Sequence, residues 1–262
     1  MYDVLICTRG REDFLATTLA CVLNQDITGA LRIVLLQHED CPKNTYLLTQ
    51  LKNLINRRPN PKLDLQFIEE KVPTDKPLAY VRAQAIRQSR AEYIFMLDND
   101  LWFHSGVFSS LERVMLKSDD NVLAVGVPPM DVVNEREYDD YDLKTYSSFR
   151  EAYNHFGDCV SAVHHFYRNQ CDVPFVTTHA LWNRRALVES GVLSFWEGYP
   201  LGKRGYDGEG CTFAINRGYR CVMIPSDGGC CFWHLWTKKT DDGFFTRGNK
   251  YTPPEILGEL GE

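Results

Sequence analysis

Two carboxylates one residue apart, Asp98 and Asp100, interrupt the apolar stretch "YIFMLDNDLWF". Tyr93 to Leu97 read as the buried body of a strand, and Leu101, Trp102 and Phe103 resume the apolar character. A buried carboxylate is costly unless it is paired, hydrogen-bonded or bound to a metal. Side chains two apart on an extended chain point the same way, so both carboxylates are expected to face one ligand. Hard oxygen donors of this kind suit Mg²⁺ or Mn²⁺, which complete their shells with phosphate oxygens and water. The plainer alternative is a turn leading into a helix cap, since Asp and Asn favour both.

The flanking elements decide whether such a pair stands at a binding edge. "DVLICT" (3–8), "LRIVLLQ" (31–37), "LDLQFIEE" (63–70), "EYIFMLD" and "NVLAVGV" (121–127) read as strands. "DFLATTLACVLNQ", "NTYLLTQLKNLINRR" (44–58), "LAYVRAQAIRQS" and "VFSSLERVMLK" carry apolar residues at helical spacing. Strand and helix alternate with short links, which predicts a parallel, doubly wound sheet with helices on both faces. In open sheets of that kind ligands bind beyond the carboxyl ends of the strands, where Asp98 and Asp100 stand.

The rhythm breaks at Pro128-Pro129, and the chain up to about Val173 is aromatic, acidic and histidine-containing. Tyr138, Tyr141, Tyr146, Phe149 and Tyr153 offer flat faces on which sugar rings can pack, though an ordinary insertion would look the same. The chain has 262 residues, 44% of them hydrophobic, enough for one large α/β domain. Its formal charge of −6 gives no general pull toward nucleic acid or anionic membranes. Nine cysteines, an odd number without a CxxC pair, read as buried thiols in a reducing compartment. No run reaches the length of a membrane span and no signal peptide opens the chain, so the expected location is cytoplasmic.

Several segments together resemble a family 2 glycosyltransferase of the GT-A type. "DVLICTRGRE" resembles the family's first strand and nucleotide loop, and "LAYVRAQAIRQSRAEYIFMLDND" its block ending in an Asp-x-Asp signature. "LWNRRALVESGVL" resembles the segment before the acceptor-side helix. "YDGEGCTFAINRGYRCVMIP" resembles the block opening with the catalytic carboxylate, and "FWHL" the late metal-binding histidine. These segments fall within 3–127 and 174–235.

The resemblance implies a GT-A fold: a Rossmann-like, mostly parallel sheet with an acceptor-side C-terminal portion. It divides residues 1–262 into a nucleotide-sugar half (1–127), an acceptor-side half (128–235) and a tail or lid (236–262). Asp100 and Asp98 would hold Mn²⁺ or Mg²⁺ with His234, and Asp98 the ribose as well. Thr8, Arg11 and Arg82 would contact the nucleotide, diphosphate or sugar. Glu39, with His38, stands in "LQHEDCPKNT" where the family keeps paired aspartates that read the base. Asp207 falls at the position of the catalytic base, with Glu209 in reserve. The bland role for Asp207 is an N-cap, since it follows a glycine-rich loop opening a helix.

The implied activity is transfer of a hexosyl or pentosyl group from a UDP- or GDP-sugar to an acceptor hydroxyl, with inversion. The acceptor could be a glycan, a small molecule or a macromolecule, and nucleic acid is not indicated. The rivals are a retaining enzyme on the same scaffold and a nucleotide-sugar-binding module without catalysis. A nucleotidyltransferase should carry a glycine- and lysine-rich phosphate loop after the first strand, which "TRGRED" matches poorly.

Overall fold

The computed structural model describes residues 1–8, 12–27, 29–38, 49, 63–73, 75–127, 129–132, 170–203, 205–224 and 232–235. The fold is built on β1 (Tyr2–Thr8), whose residues are all buried. A strand apolar on both faces belongs inside a sheet covered on both sides. β1 pairs in parallel with β2 (Gly29–His38) and with β4 (Tyr93–Asp98), and β3 (Leu63–Val72) extends the sheet in parallel beyond β2.

The alternation of side chains along β1 divides the core in two. Val4 and Ile6 pack with Leu15, Leu19 and Val22 of α1 (Glu12–Leu23) and with Val107, Phe108, Leu111 and Met115 of α3 (Val107–Met115). Leu5 and Cys7 face the other way. They join Ala79, Val81 and Ala83 of α2 (Leu78–Gln88) and apolar residues of α4 (Arg184–Glu189), α5 (Val192–Glu197) and α6 (Tyr206–Ile215). Helices therefore cover both faces, as the alternating pattern predicts.

The sheet is mostly, not wholly, parallel. β9 (Ala180–Asn183) runs antiparallel between β4 and β6 (Val122–Gly126), and β8 (Cys171–Val173) runs antiparallel beside β10 (Arg220–Met223). The order is β3-β2-β1-β4-β9-β6-β10-β8. This is the mostly parallel sheet that the resemblance implies, with antiparallel strands that the strand-helix alternation alone does not reveal. All four residues of β9 are buried, and a strand buried on both faces carries no periodicity that reveals its direction. A second sheet joins β5 (Leu101–Phe103), β11 (Phe232–Leu235) and β7 (Pro129–Val132), with β11 in the middle.

α6 lies close against α5. A side chain at Gly210 would run into the Trp196 indole, whose Nε1 donates to the Tyr206 carbonyl at 2.9 Å. Gly210 thus sets the depth at which α6, the helix carrying Asp207, is seated. The helix expected over 44–58 lies outside the described residues except for Thr49, as do the excursion over 133–169 and the tail 236–262. Cys7, Cys21, Cys171, Cys211 and Cys221 are free thiols. Among the described residues no helix is long and apolar enough to cross a membrane.

Candidate active site

β4 delivers Asp98 to the carboxyl edge of the sheet, opposite Cys7 of β1. Beneath it lies Arg82 of α2, wholly buried. Arg82 Nη2 donates to Asp98 Oδ1 at 2.5 Å and to the Leu97 carbonyl at 3.2 Å, and Nη1 donates to the Tyr206 hydroxyl. Its Nε has no hydrogen-bond partner among the described residues. Burial works against the guanidinium charge, but the surroundings, with the Asp98 carboxylate as the charged partner, outweigh it and hold Arg82 charged. Burial also pushes the Cys7 thiol up, which keeps it neutral beside the cation. On the other side of Asp98, His179 Nε2 lies 3.7 Å from Oδ2. The Asp98 side chain nevertheless keeps 30% of its surface exposed, so it faces outward from a buried support.

The strand alternation expected to aim Asp98 and Asp100 together does not extend that far. β4 ends at Asp98, and the chain bends through Asn99 and Asp100. The cause is a pair of side-chain hydrogen bonds. Asn99 Nδ2 donates to Thr8 Oγ1 at 2.8 Å, and the Leu101 amide donates to Thr18 Oγ1 on α1, also at 2.8 Å. Asp100 is consequently almost fully buried, whereas Asp98 is partly open. Thr8 is brought to this bend through Asn99.

Asp207 is the second residue of α6, and the N-cap is Gly205 with φ of 84°. Asp207 is therefore not the cap. Its Oδ2 accepts from the Thr178 amide at 3.1 Å and from the Thr178 hydroxyl at 3.4 Å. Among the described residues both of its hydrogen bonds go to Oδ2, none to Oδ1. Glu209 lies on the exposed side of α6, 2.7 Å from Lys203, and that hydrogen-bonded partner holds it below the usual carboxylate value. Adjacent residues, Thr178 and His179, thus reach the two carboxylates, one each. That brings Asp98 and Asp207 to the same end of the molecule.

His234 sits on β11 opposite Leu101, one residue beyond Asp100, and opposite Asp131 of β7. Arg11 and Glu39 lie outside the described residues. Among the described residues no group of three or more His, Cys, Asp or Glu could hold a metal ion. Two carboxylates at a strand end still fit a hard divalent cation that takes its remaining ligands from phosphate and water. Thr178, His179 and Tyr206 contact the candidate site residues, and sequence reasoning missed them. One signal was present. "TTH" precedes the buried "ALWN" as directly as "DND" follows the buried "YIFML", so polar residues bound a core strand in both places.

Comparison with known proteins agrees with this architecture. The sequence profile of the family described as "Glycosyl transferase family 2" matches residues 3–187. No curated protein matches the chain. Among solved structures the chain is similar to TarS 1-349 of S. aureus. In its complex with UDP-GlcNAc the TM-score is 0.58 and the identity 13%, over 99% of this chain and 64% of that one. It is also similar to the mannosyltransferase PcManGT from Pyrobaculum calidifontis, solved with GDP-Man and Mn²⁺. There the TM-score is 0.58 and the identity 16%, over 91% of this chain and 57% of that one. At such identities the likeness is one of fold, and the chain spans less than two thirds of either structure.

Proposed function

The chain belongs to glycosyl transferase family 2, and on that premise we propose that it transfers a sugar from a nucleotide-diphosphate donor to an acceptor hydroxyl, with inversion and with help from a divalent metal. The observation that carries this reading is the convergence of an outward-facing Asp98 and a hydrogen-bonded Asp207 through Thr178 and His179. Residues 1–127 supply the donor half and 128–235 the acceptor side. Solved relatives of this fold hold UDP-GlcNAc or GDP-Man, which supports a nucleotide-sugar donor.

Asp98 and Asp100 would hold Mn²⁺ or Mg²⁺, with His234 from the neighbouring strand. When bound, the ion supplies positive charge that makes the nucleoside diphosphate a better leaving group. Arg82 acts from below: wholly buried, it reaches a ligand by fixing the direction of Asp98 rather than by contact. Thr8 would line the donor loop; Arg11 and Glu39, which the resemblance assigns to that loop and to the nucleotide base, lie outside the described residues.

Asp207 is the better base of the two carboxylates on α6. Its Oδ2 is fixed by Thr178, which leaves Oδ1 to take the proton of the acceptor hydroxyl. Glu209 is committed to Lys203. As the acceptor oxygen bonds to the anomeric carbon, the bond from that carbon to the diphosphate breaks and Asp207 receives the proton. Orientation and general-base catalysis share the lowering of the barrier.

A panel of UDP- and GDP-sugars, titrated calorimetrically in Mn²⁺ and in EDTA, tests the donor half of this reading. Binding of at least one donor that depends on Mn²⁺ is expected, and equal affinity in EDTA would remove the metal from the site. The anomeric configuration of the product, read by NMR, separates inversion from retention. Donor binding without turnover on any acceptor would mark a binding module.

A further inference from the structure

Two buried connections join the donor-side and acceptor-side carboxylates, and together they close a loop. One runs from Asp98 to Arg82 and on to the Tyr206 hydroxyl, and Tyr206 is the chain neighbour of Asp207. The other runs from Asp207 to Thr178, whose chain neighbour His179 lies 3.7 Å from Asp98. We propose that Tyr206 is a positioning residue whose buried hydroxyl sets Asp98 and Asp207 against each other, so that donor and base are aligned by one circuit of hydrogen bonds, adjacent residues and the His179–Asp98 contact. The catalytic form of this role rests on the glycosyltransferase reading; the circuit itself does not.

Several observations favour a specific role for the hydroxyl over mere filling. Arg82 is wholly buried and its Nε already lacks a hydrogen-bond partner among the described residues, so the remaining acceptors carry its charge. Those acceptors are Asp98, the Leu97 carbonyl and Tyr206. A buried cation that loses one of few acceptors re-aims toward the others. The one free to move is the Asp98 carboxylate, because the Leu97 carbonyl is fixed within β4. The Tyr206 ring has its own anchorage: it packs edge-on against Trp196 and Tyr199, and the guanidinium carbon of Arg82 lies 5.8 Å from its centroid. Removing the hydroxyl alone therefore leaves the packing in place.

Tyr206→Phe is the direct test, with two readouts. The first needs no ligand: the side-chain carboxyl ¹³C resonances of Asp98 and Asp207. Both are expected to move, while amide resonances of α3, on the opposite face of the sheet, stay in place. If neither moves, or only that of Asp207, the circuit is absent whatever the enzyme does. The second readout is affinity for UDP and GDP in Mn²⁺, measured in a cycle with Asp98→Asn. Tyr206→Phe should weaken the nucleotide that binds by roughly tenfold, the order expected for one hydrogen bond to a charged group. In the Asp98→Asn background it should add little. Additive losses, or a fall in melting temperature at unchanged affinity, would reduce Tyr206 to packing. Should Tyr206→Phe not fold, Asp207→Asn approaches from the other end: it is expected to move the Asp98 resonance, and a stationary resonance overturns the proposal. If neither nucleotide binds the wild-type protein while both resonances move, the glycosyltransferase reading fails and the circuit stands.

Discussion

Asp3 and Asp98 stand on neighbouring parallel strands, each paired with an arginine, at opposite edges of one sheet. Asp3, near the start of β1, has no exposed surface; Arg32 Nε donates to its Oδ1 at 2.9 Å and Ser89 Oγ to its Oδ2 at 2.5 Å. Asp98, at the end of β4, shares a buried arginine and keeps 30% of its side chain exposed. The charges and partners are alike, and the geometry is not. Asp3 is hydrogen-bonded inward on both oxygens and can only stabilise. Asp98 is held by Arg82 on one oxygen and flanked by His179 at the other, yet keeps part of its surface toward solvent, the arrangement a ligand-holding carboxylate needs. The sheet edge makes the difference: strand carboxyl ends open toward the crevice where such folds bind ligands.

The largest expected effect comes from Asp100, the buried carboxylate at the bend just beyond that outward-facing Asp98. Asp100→Ala should abolish Mn²⁺-dependent donor binding while circular dichroism and melting temperature stay close to those of the wild type. Calorimetry with and without EDTA measures it. Retained metal-dependent binding would make the bend at Asn99 and Asp100 a structural turn.

Next comes the other carboxylate of the site. Asp207→Asn should lower kcat by about 10²–10⁴-fold, the usual contribution of a general base. Donor and metal affinity should fall far less than turnover, because in the proposed scheme Asp207 acts on the acceptor and reaches Asp98 only through the circuit. Near-normal turnover would pass the role to Glu209, and loss of donor binding would move Asp207 to the sugar.

The inward edge gives the opposite signature. Arg32→Met strips Asp3 of its ion-pair partner and leaves a buried charge held by Ser89 alone. Breaking a buried pair from one side costs about 3–5 kcal/mol. Chemical denaturation should therefore show a large loss of stability, and the folded fraction should bind donor as the wild type does. A donor-binding defect in that fraction would erase the distinction between the two edges.

What the sequence revealed and what it hid follow the same division. The runs over 3–8 and 93–97 were legible because burial on both faces leaves continuous apolar stretches, and Asp98 was legible because it ends one. The partners of Asp98 were not. Arg82 lies on a helix whose polar residues give no sign that this one is wholly buried. Tyr206 lies 124 positions from Arg82 in the chain, a separation that no local pattern spans. The bend at Asn99 was hidden for a like reason, since Thr8 and Thr18 come from β1 and α1. The helix boundary removes the N-cap alternative for Asp207: Gly205 fills that position, where the left-handed backbone suits glycine.

The smallest expected effect belongs to the third ion pair, Lys203 with Glu209, which tests whether a carboxylate at the site edge matters merely by being paired. Both side chains are about half exposed. Exposed pairs of this kind are screened by water and salt and contribute little. Lys203 holds Glu209 below its ordinary 4.5. A carboxyl whose value is depressed in the folded state adds stability above the unfolded value, and that increment is lost as pH falls through the folded one. Lys203→Met should therefore leave stability at pH 7 nearly unchanged, most visibly so at high salt, and should slightly flatten the acid limb of the stability profile. Turnover should be preserved, since in this scheme Glu209 touches neither donor nor proton. Thermal melts from pH 3 to 7 at low and high salt, beside steady-state rates, decide it. A rate loss comparable to that of Asp207→Asn would show Glu209 to be the working base, and would move the reactive carboxylate to the exposed side of α6.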